Sequence, residues 1–268
     1  MGETRLIVAT FNVHAGMDGF GRRYDLIEAC RSLGADVLIL QEVFAPVGAT
    51  SQAAEIASAL GYEALELPLS RSWRTRDELP AGVGDTDLWE PHKPYPRAGR
   101  ALRVGRYIRA GDSENAGYEE GTWGLAVLTR GSPVSSRTIE LGHLRRDFTA
   151  RAALSVTLAS GLQVVGTHMA HSTHGSPLHL RRLYAALPPR DMPAVLGGDM
   201  NFWGPPISLA LPGWHRAALG KTWPAQRPRH QLDHLFVTPP VKVLSGSVAR
   251  LGNSDHLPLR AEISYEVS

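Results

Sequence analysis

The sequence contains a single cysteine, Cys30, among 268 residues. One cysteine excludes an intrachain disulfide and any zinc site built from paired cysteines. The first residues also lack the pattern of an export signal, in which a basic segment precedes an apolar stretch and a small-residue cleavage site. Both features fit a reducing compartment, and we expect a cytoplasmic protein.

Long hydrophobic runs and a large excess of charge are also missing. Apolar stretches such as Asp36 to Leu40 fall far short of the roughly 18 to 20 residues that cross a bilayer, so we expect no transmembrane segment. The net charge is +2, from 28 basic and 26 acidic residues. The chain is therefore not a general polycation, and nucleic acid is a possible but not a favoured partner. Nothing in the composition fixes an oligomeric state.

The chain is rich in short strand and helix patterns, and 43% of its residues are hydrophobic, enough to bury a substantial core. The first patterns predict a strand at Arg5 to Phe11, a helix at Tyr24 to Ser32 and a buried strand at Asp36 to Gln41. Further patterns predict a helix at Ser51 to Leu60, another at Leu178 to Leu187, and eight more strands between Tyr62 and Glu262. The short turns favour mixed or antiparallel pairing.

We therefore predict an α/β fold in which two mixed or antiparallel sheets pack face to face, with helices outside. Residues 1–268 are expected to form one domain, because this length fits a single large core. One stretch does not follow this alternation of strand and helix patterns. Residues from about 70 to 117 have little periodicity and many Gly, Pro and Arg residues, which predicts a long loop excursion.

Polar residues stand where the predicted strands end. Asn12 follows the first strand, Glu42 follows the second, and Asp199 and Asn201 follow the short strand that ends at Leu196. Asp255 lies beside His256 on a later turn. Carboxylate and carboxamide oxygens of this kind bind hard metals, and imidazoles and amides can contact a phosphate.

These motifs, in this order, resemble the endonuclease/exonuclease/phosphatase superfamily, which has the DNase I-like fold. The motifs span nearly the whole chain, and they are Phe11-Asn12, Gln41-Glu42, Thr167-His168, Gly198-Asp199-Met200-Asn201, Leu232-Asp233-His234 and Ser254-Asp255-His256-Leu257-Pro258. The resemblance implies a four-layered α/β sandwich. It also implies metal-dependent hydrolysis of a phosphoester substrate, usually with Mg²⁺ and with Mn²⁺ as a possible substitute.

The resemblance also implies roles for individual residues. Glu42 is the principal metal ligand, supported by Asn12, and Asp255 ligates directly or through water. Asp199 orients and helps to deprotonate the attacking water, and Asn201 donates to a phosphate oxygen. The remaining catalytic residues form an imidazole pair with a carboxylate partner: His168, His256 and Asp233. The Asp–His pair favours an imidazolium, which stabilises charge in the transition state.

Each residue also has an ordinary structural interpretation. Asn12 could cap a turn, Glu42 could begin a helix, and Asp199 with Asn201 could form an Asx-turn. His168 and His256 could be buried histidines bonded to backbone, and Asp233 and Asp255 could be surface acids. The ordered set favours the catalytic interpretation.

Other histidines are weaker candidates for substrate binding. His14 follows Asn12 closely, and His171 and His174 share a loop with His168. Three histidines in one loop raise the alternative of a transition-metal site, although the spacing is loose for one. The excursion at 70–117 interleaves arginines with aromatic residues, which suits a nucleic-acid strand, a lipid head group or a solvated loop equally.

The predicted function is therefore that of a hydrolase acting on ester bonds with a divalent metal. We expect a phosphodiesterase or phosphatase that acts on a small or lipid-linked phosphoester. An endonuclease or exonuclease is the alternative, because this fold alone does not choose a substrate. A catalytically inactive binding module is disfavoured, because all eight residues of the core motifs are present.

Overall fold

The computed structural model describes residues 2–19, 21–75, 118–144, 147, 149–171, 176–204, 206–250 and 254–267. Within these residues there are twelve strands: β1 (Glu3–Asn12), β2 (Val37–Pro46), β3 (Glu63–Thr75), β4 (Tyr118–Thr129), β5 (Pro133–His143), β6 (Ala150–Leu158), β7 (Gln163–His168), β8 (Ala194–Asp199), β9 (His215–Arg216), β10 (Asp233–Val237), β11 (Lys242–Val248) and β12 (Leu259–Glu266). The described helices are α1 (Leu26–Ser32), α2 (Gln52–Leu60), α3 (Ser176–Ala186) and α4 (Pro206–Ala210), and a 3-10 turn covers His14–Gly16.

The first two helices begin and end where the sequence supplies suitable caps. The Asp25 side chain accepts a hydrogen bond from the Glu28 backbone N–H at the start of α1, and Ser51 accepts from Ala54 N–H at the start of α2. Gly61 ends α2 in the left-handed region, with φ of 69°. These contacts satisfy backbone groups that helix ends leave without partners.

The strands form two six-stranded sheets. The first has the order β11-β12-β1-β2-β4-β3, and the second has the order β5-β6-β7-β8-β10-β9. Each sheet contains one parallel pair, β1 with β2 and β7 with β8, and its other pairs are antiparallel. The predicted mixed sheets are confirmed.

Three hydrophobic clusters define four layers. The central cluster lies between the sheets and includes Ile39 of the first sheet and Val164 of the second. A second cluster packs α1 and α2 against the outer face of the first sheet, around Phe11. A third packs α3 and α4 against the second sheet, around Phe236. Helices therefore cover the outer faces, and the predicted four-layered sandwich is confirmed.

The structure also differs from the predicted elements. Strand β3 continues to Thr75, so the predicted start of the excursion at 70 is too early, while residues 76–117 lie outside the described part of the chain. The pattern did not predict β9, β11 or α4. The assignment of residues 1–268 to one domain stays a prediction. No helix among the described residues is both long and apolar enough to cross a membrane.

Candidate active site

The polar motifs meet because their strands end at the same edge of the sandwich. In the first sheet, β1 and β2 are parallel and in register, with Asn12 opposite Gln41. In the second, β7 and β8 are parallel, with His168 opposite Asp199. Strand β10 runs antiparallel to β8 and begins at Asp233, opposite Asp199. The C-terminal ends of the parallel strands and the N-terminal end of β10 therefore lie at the same edge, and they bring polar side chains of both sheets together.

Backbone conformation at this edge is unusual. The described non-glycine residues with positive φ are His14 (46°), Ala15 (52°), Glu42 (56°) and Asn201 (45°). Glu42 occupies a bulge where the pairing of β2 with β4 shifts by one residue. Such conformations cost about 1 to 3 kcal/mol each and persist where surrounding structure enforces them. The bulge turns Glu42 out of the strand's regular alternation.

Carboxylates from both sheets converge on Asn12. Its side-chain amide lies 3.2 Å from Glu42 Oε1 and donates to Asp199 Oδ2 at 3.1 Å. The other Asp199 oxygen, Oδ1, accepts from the Asn201 backbone N–H at 2.9 Å. Asn12 and Asp199 are buried, while the Glu42 side chain is 30% exposed. Burial raises the pKa of Asp199 to about 7, even though His256 acts to lower it.

Two buried imidazoles face these carboxylates. His168 Nε2 lies 3.6 Å from Asp199 Oδ2 and 3.8 Å from Glu42 Oε1. His256 Nε2 lies 3.8 Å from Asp199 Oδ2, and its Nδ1 donates to Asp233 Oδ2 at 2.8 Å. The bond to Asp233 fixes the His256 ring, as the sequence predicted for this pair.

The surroundings shift the pKa values of the two histidines in opposite directions. Burial and the positive charge of Arg151 hold the pKa of His168 well below its ordinary value. Burial alone would also lower the pKa of His256, but Asp233 and Asp199 raise it well above the ordinary value. The surroundings therefore favour the neutral form at His168 and the charged form at His256, and both rings face Asp199 Oδ2.

Asp255 and His14 form a second charged pair beside this cluster. His14 Nδ1 lies 3.6 Å from Asp255 Oδ1. Burial alone would lower the pKa of His14, but Asp255 and Glu42 together raise it. Burial alone would raise the pKa of Asp255, but His14 and His256 lower it. Asp255 therefore ionises readily beside the metal ligands that the sequence predicted.

Asn201 is left-handed, and its backbone N–H closes the Asx-turn onto Asp199 that the sequence analysis named as an ordinary structural interpretation. Its side-chain amide donates to Met169 O at 3.0 Å, and its Oδ1 lies 2.8 Å from His171 Nδ1. Within the described residues, the second amide hydrogen of Asn201 has no hydrogen-bond partner. His171 is exposed, and His174 lies outside the described residues.

Sequence reasoning missed four residues that support the imidazoles. Trp123 packs edge-on against His168, with ring centroids 5.3 Å apart, and Arg151 lies over Trp123 at 5.2 Å. Arg151 is buried and pairs with Asp147 at 2.8 Å. Trp223 packs against His256 at 6.4 Å. These contacts join residues that are far apart in the sequence, so no pattern in the sequence predicts them.

The residues fit a hard divalent cation. The carboxylates supply oxygen ligands of the kind that Mg²⁺ prefers, and the partly exposed Glu42 side chain is accessible to water. The Asn12 amide nitrogen faces Glu42 and Asp199, while its Oδ1 accepts from the His14 backbone N–H. The acid pair Asp199 and Asp233 forms a compact group with His256, in which one ligand atom from each lies within 4.8 Å of the others. This group is one possible site for a divalent cation.

Comparison with known proteins identifies the family. The model of the Endonuclease/Exonuclease/phosphatase family matches residues 9–256. No curated protein sequence matches the chain.

Solved structures share the fold at low identity. An endonuclease/exonuclease/phosphatase protein from Beutenbergia cavernae DSM 12333 is 21% identical with a TM-score of 0.64, and the match covers 97% of this chain and 72% of that one. A mannosyl-6-phosphatase from Bacteroides thetaiotaomicron VPI-5482 is 14% identical with a TM-score of 0.56, covering 96% and 99%. TDP2 from D. rerio, complexed with a single-strand DNA product, is 15% identical with a TM-score of 0.55, covering 97% and 99%.

The family match covers most of the chain, and the fold and ordered motifs agree with it. The chain belongs to the endonuclease/exonuclease/phosphatase family and is a phosphoester hydrolase with a DNase I-like fold.

Proposed function

We propose that the chain is a divalent-metal-dependent phosphodiesterase or phosphatase that acts on a small or lipid-linked phosphoester. The observation that carries this proposal is the convergence of Glu42, Asp199 and two differently charged imidazoles at one edge. Hydrolysis of such an ester requires an oriented water, stabilisation of negative charge on phosphorus oxygens and a proton for the leaving oxygen.

Asp199 is the group that activates water. A pKa of about 7 suits a base that accepts a proton near neutral pH, and both Asp199 oxygens are fixed by hydrogen bonds. The water oxygen forms a bond to phosphorus as its proton passes to Asp199. The bond between phosphorus and the leaving ester oxygen breaks at the same time, and the leaving oxygen takes up a proton from water.

The imidazoles and the amide stabilise the phosphoryl oxygens. His256, held as an imidazolium by Asp233, supplies a positive charge where negative charge develops. Neutral His168 supplies a hydrogen bond from Nε2, and Asn201 supplies its remaining amide hydrogen. These donors are fixed by packing and hydrogen bonds before the substrate binds, so little reorganisation accompanies the reaction.

We propose Mg²⁺ as the cofactor, with Mn²⁺ as a substitute, held by Glu42 and Asn12 with Asp255 alongside. When bound, the cation supplies a positive charge that polarises the phosphoryl group. The proximity of Asp255 to His14 supports a role for His14 at the same end of the site. The near-neutral net charge of +2 supports a small substrate over a long polyanion.

The first experiment measures hydrolysis of bis-p-nitrophenyl phosphate and p-nitrophenyl phosphate with Mg²⁺, Mn²⁺ or EDTA. Release from the diester alone would make the protein a phosphodiesterase, and release from the monoester would make it a phosphatase. The Asp199→Asn protein is the control for trace contaminating enzymes. No metal-dependent release from either ester by the folded wild-type protein would contradict the proposed activity on small esters.

A further inference from the structure

A buried glutamine outside the catalytic cluster joins two backbone segments that lie beside Glu42 and His14. Gln52 is the first residue of α2, and it is 6% exposed. Its Nε2 donates to Ala15 O at 2.9 Å, and its Oε1 accepts from the Phe44 backbone N–H at 2.9 Å. Ala15 follows His14 directly, and Phe44 lies two residues after Glu42. One side chain therefore connects the backbone next to both residues.

Both of these segments contain left-handed backbone. All three residues of the His14–Gly16 turn have positive φ, between 46° and 76°, and Glu42 has φ of 56°. Non-glycine residues adopt such conformations where surrounding contacts enforce them. The ladder between β1 and β2 ends at Gln41, just before Glu42. Beyond that point, Gln52 links β2 to the turn that follows β1.

The amide of Gln52 suits this position in both chemistry and shape. Ala15 O requires a donor and the Phe44 N–H requires an acceptor, and a glutamine amide offers both. The amide packs directly against Gly16, where a Cβ would lie 2.6 Å from Gln52 Nε2. One turn along α2, Ile56 is fully buried in the cluster that covers the first sheet. Gln52 therefore extends toward the site from a helix that packing holds in place.

We propose that Gln52 is a positioning residue that fixes Glu42 and His14 relative to each other at the metal end of the site. The inference rests on the proposed function, because it takes Glu42 as the metal ligand. Gln52 acts through the backbone of the two segments and touches neither the cation nor the substrate. The turn also reaches Asn12, because the His14 N–H donates to Asn12 Oδ1 at 3.1 Å.

The Gln52→Met variant tests this role, because it keeps the length of the side chain and removes its donor and acceptor. Mn²⁺ binding is measured from the electron paramagnetic resonance signal of free Mn²⁺. We expect the Kd for Mn²⁺ to rise about tenfold or more, as it does when groups that support metal ligands are removed.

Catalysis provides a second readout of the same variant. The Mn²⁺ concentration that gives half of the maximal rate on bis-p-nitrophenyl phosphate should rise by the same factor as the Kd. In contrast, kcat at saturating Mn²⁺ should stay within about threefold of wild type, because the second sheet holds His168 and Asp199. A loss of kcat that saturating Mn²⁺ does not restore would overturn the proposed role.

Thr238→Val is the matched control. Thr238 Oγ1 donates to Met192 O at 2.7 Å and accepts from the Ala194 N–H at 2.8 Å, so it is also a buried side chain that bridges two backbone groups. Ala194 begins β8, at the opposite end of that strand from Asp199. Thr238→Val should lose stability in urea as Gln52→Met does, but it should bind Mn²⁺ like wild type. Equal weakening of Mn²⁺ binding in both variants would reduce the effect to general destabilisation and overturn the inference.

Hydrogen exchange tests the turn without any metal. In EDTA, the Gly16 and Met17 amides are protected by bonds to Val13 O and His14 O, both of 2.9 Å. Their exchange should be about threefold to tenfold faster in Gln52→Met, because the turn loses a hydrogen bond that opposes opening. Arg74 Nη1, 3.4 Å from Ala15 O, remains as a weaker donor, so the turn should not open completely. Wild-type exchange rates in Gln52→Met would overturn the link between the two segments.

Gly16→Ala approaches the same contact from the other side. Its methyl group would displace the Gln52 amide, so it should weaken Mn²⁺ binding in the same direction as Gln52→Met. Wild-type affinity in folded Gly16→Ala protein would contradict the proposal, even if Gln52→Met did not fold.

The outcomes distinguish this inference from the proposed function. A wild-type protein that binds Mn²⁺ and hydrolyses the ester, with equal Mn²⁺ affinity in Gln52→Met, would overturn the role of Gln52 alone. A wild-type protein that neither binds Mn²⁺ nor hydrolyses the ester would overturn the proposed function, and the positioning role with it.

Discussion

At the residue scale, Asp199 has contacts that fit both of the interpretations that the sequence presented as alternatives. Its Oδ1 closes an Asx-turn onto Asn201, while its Oδ2 faces both imidazoles and accepts from Asn12. Asn12 behaves in the same way, since its Oδ1 accepts from His14 N–H at 3.1 Å while its amide contacts the carboxylates. The turn fixes the position of the Asp199 side chain, so the ordinary interpretation does not exclude the catalytic one.

Asp199→Asn is expected to lower kcat by at least about 10²-fold, because the amide cannot accept the proton of the attacking water. The change keeps the size of the side chain, so circular dichroism and Tm should stay close to wild type. Asp191→Asn, at an exposed position in the turn before β8, is the matched control and should keep its turnover. Near-normal kcat in purified Asp199→Asn protein would remove Asp199 from the mechanism.

Glu42→Gln is expected to weaken metal binding as well as to lower kcat by at least about 10²-fold. A ligand that binds only the folded state stabilises it, by about 2.7 kcal/mol when present at 100 times its Kd. We therefore expect Mg²⁺ to raise the Tm of the wild-type protein and to raise that of Glu42→Gln much less. Glu55→Gln, on α2, should respond like wild type. An equal rise in both variants would place the metal elsewhere.

The pH dependence of stability can be tested at His234, which is not one of the predicted metal ligands. It is fully buried, its Nε2 lies 2.8 Å from Phe202 O, and burial lowers its pKa from 6.5 to about 4. Between these values the unfolded chain binds a proton that the folded chain does not. The free energy of unfolding therefore falls as the pH drops from about 6.5 to 4, by up to about 3 kcal/mol from this group.

Urea unfolding across this pH range checks the expectation. His234→Gln should lose less stability between pH 6.5 and 4 than wild type, while His215→Gln, at an exposed position on β9, should keep the wild-type slope. Identical slopes for His234→Gln and wild type would show that His234 does not titrate as its burial requires.

At the element scale, the ends of β7 and β8 depend on a glycine. Gly198 has φ of 150°, and a Cβ there would lie 1.9 Å from Thr167 O, within the strand pair that carries His168 and Asp199. Gly198→Ala is expected to cost about 3 kcal/mol or more of stability and to displace His168 and Asp199, because the backbone must move. Denaturant unfolding and kcat measure both effects.

Gly131→Ala is the matched control for this prediction. A Cβ at Gly131 would meet its nearest atom, Thr129 Oγ1, at 3.5 Å, which is an ordinary contact. Its stability should change by less than about 1 kcal/mol. If Gly198→Ala were as harmless as Gly131→Ala, the close approach of β7 and β8 would not position the site.

The strands that the sequence predicted best are the ones that carry the site. Strand β2 is buried along Val37 to Gln41, so its run of apolar residues predicts a strand without knowledge of the neighbouring strands. Strand β11 was missed because all of its residues are exposed or half-buried, and its only described pairing is with β12. The left-handed bulge at Glu42 and the packing of Trp123 on His168 depend on distant strands, so no local pattern predicts them.

At the scale of the whole molecule, the two sheets fit together where one large side chain meets two glycines. Ile39 on β2 is fully buried in the central cluster. A Cβ at Gly166 on β7 would lie 2.9 Å from Ile39 Cγ2, and one at Gly197 on β8 would lie 2.7 Å from Ile39 Cδ1. The absent side chains let the sheets approach, which holds Glu42 of one sheet near His168 of the other.

This fit predicts that substitutions across the sheet interface compensate. Ile39→Ala alone should cost about 2 to 5 kcal/mol through the cavity it leaves, and Gly166→Ala alone about 1 to 3 kcal/mol through crowding. In the double variant the new methyl enters the space that Ile39 vacates, so the combined cost should fall below the sum by about 1 kcal/mol or more. Denaturant unfolding of the wild-type, two single-variant and double-variant proteins measures this coupling.

The costs of Ile39→Ala and Gly131→Ala should be additive, because no Ile39 atom is among those nearest a Cβ at Gly131. Additive costs for Ile39 and Gly166 would mean that the sheets adjust independently, and their contact would then not explain how residues from both reach one site.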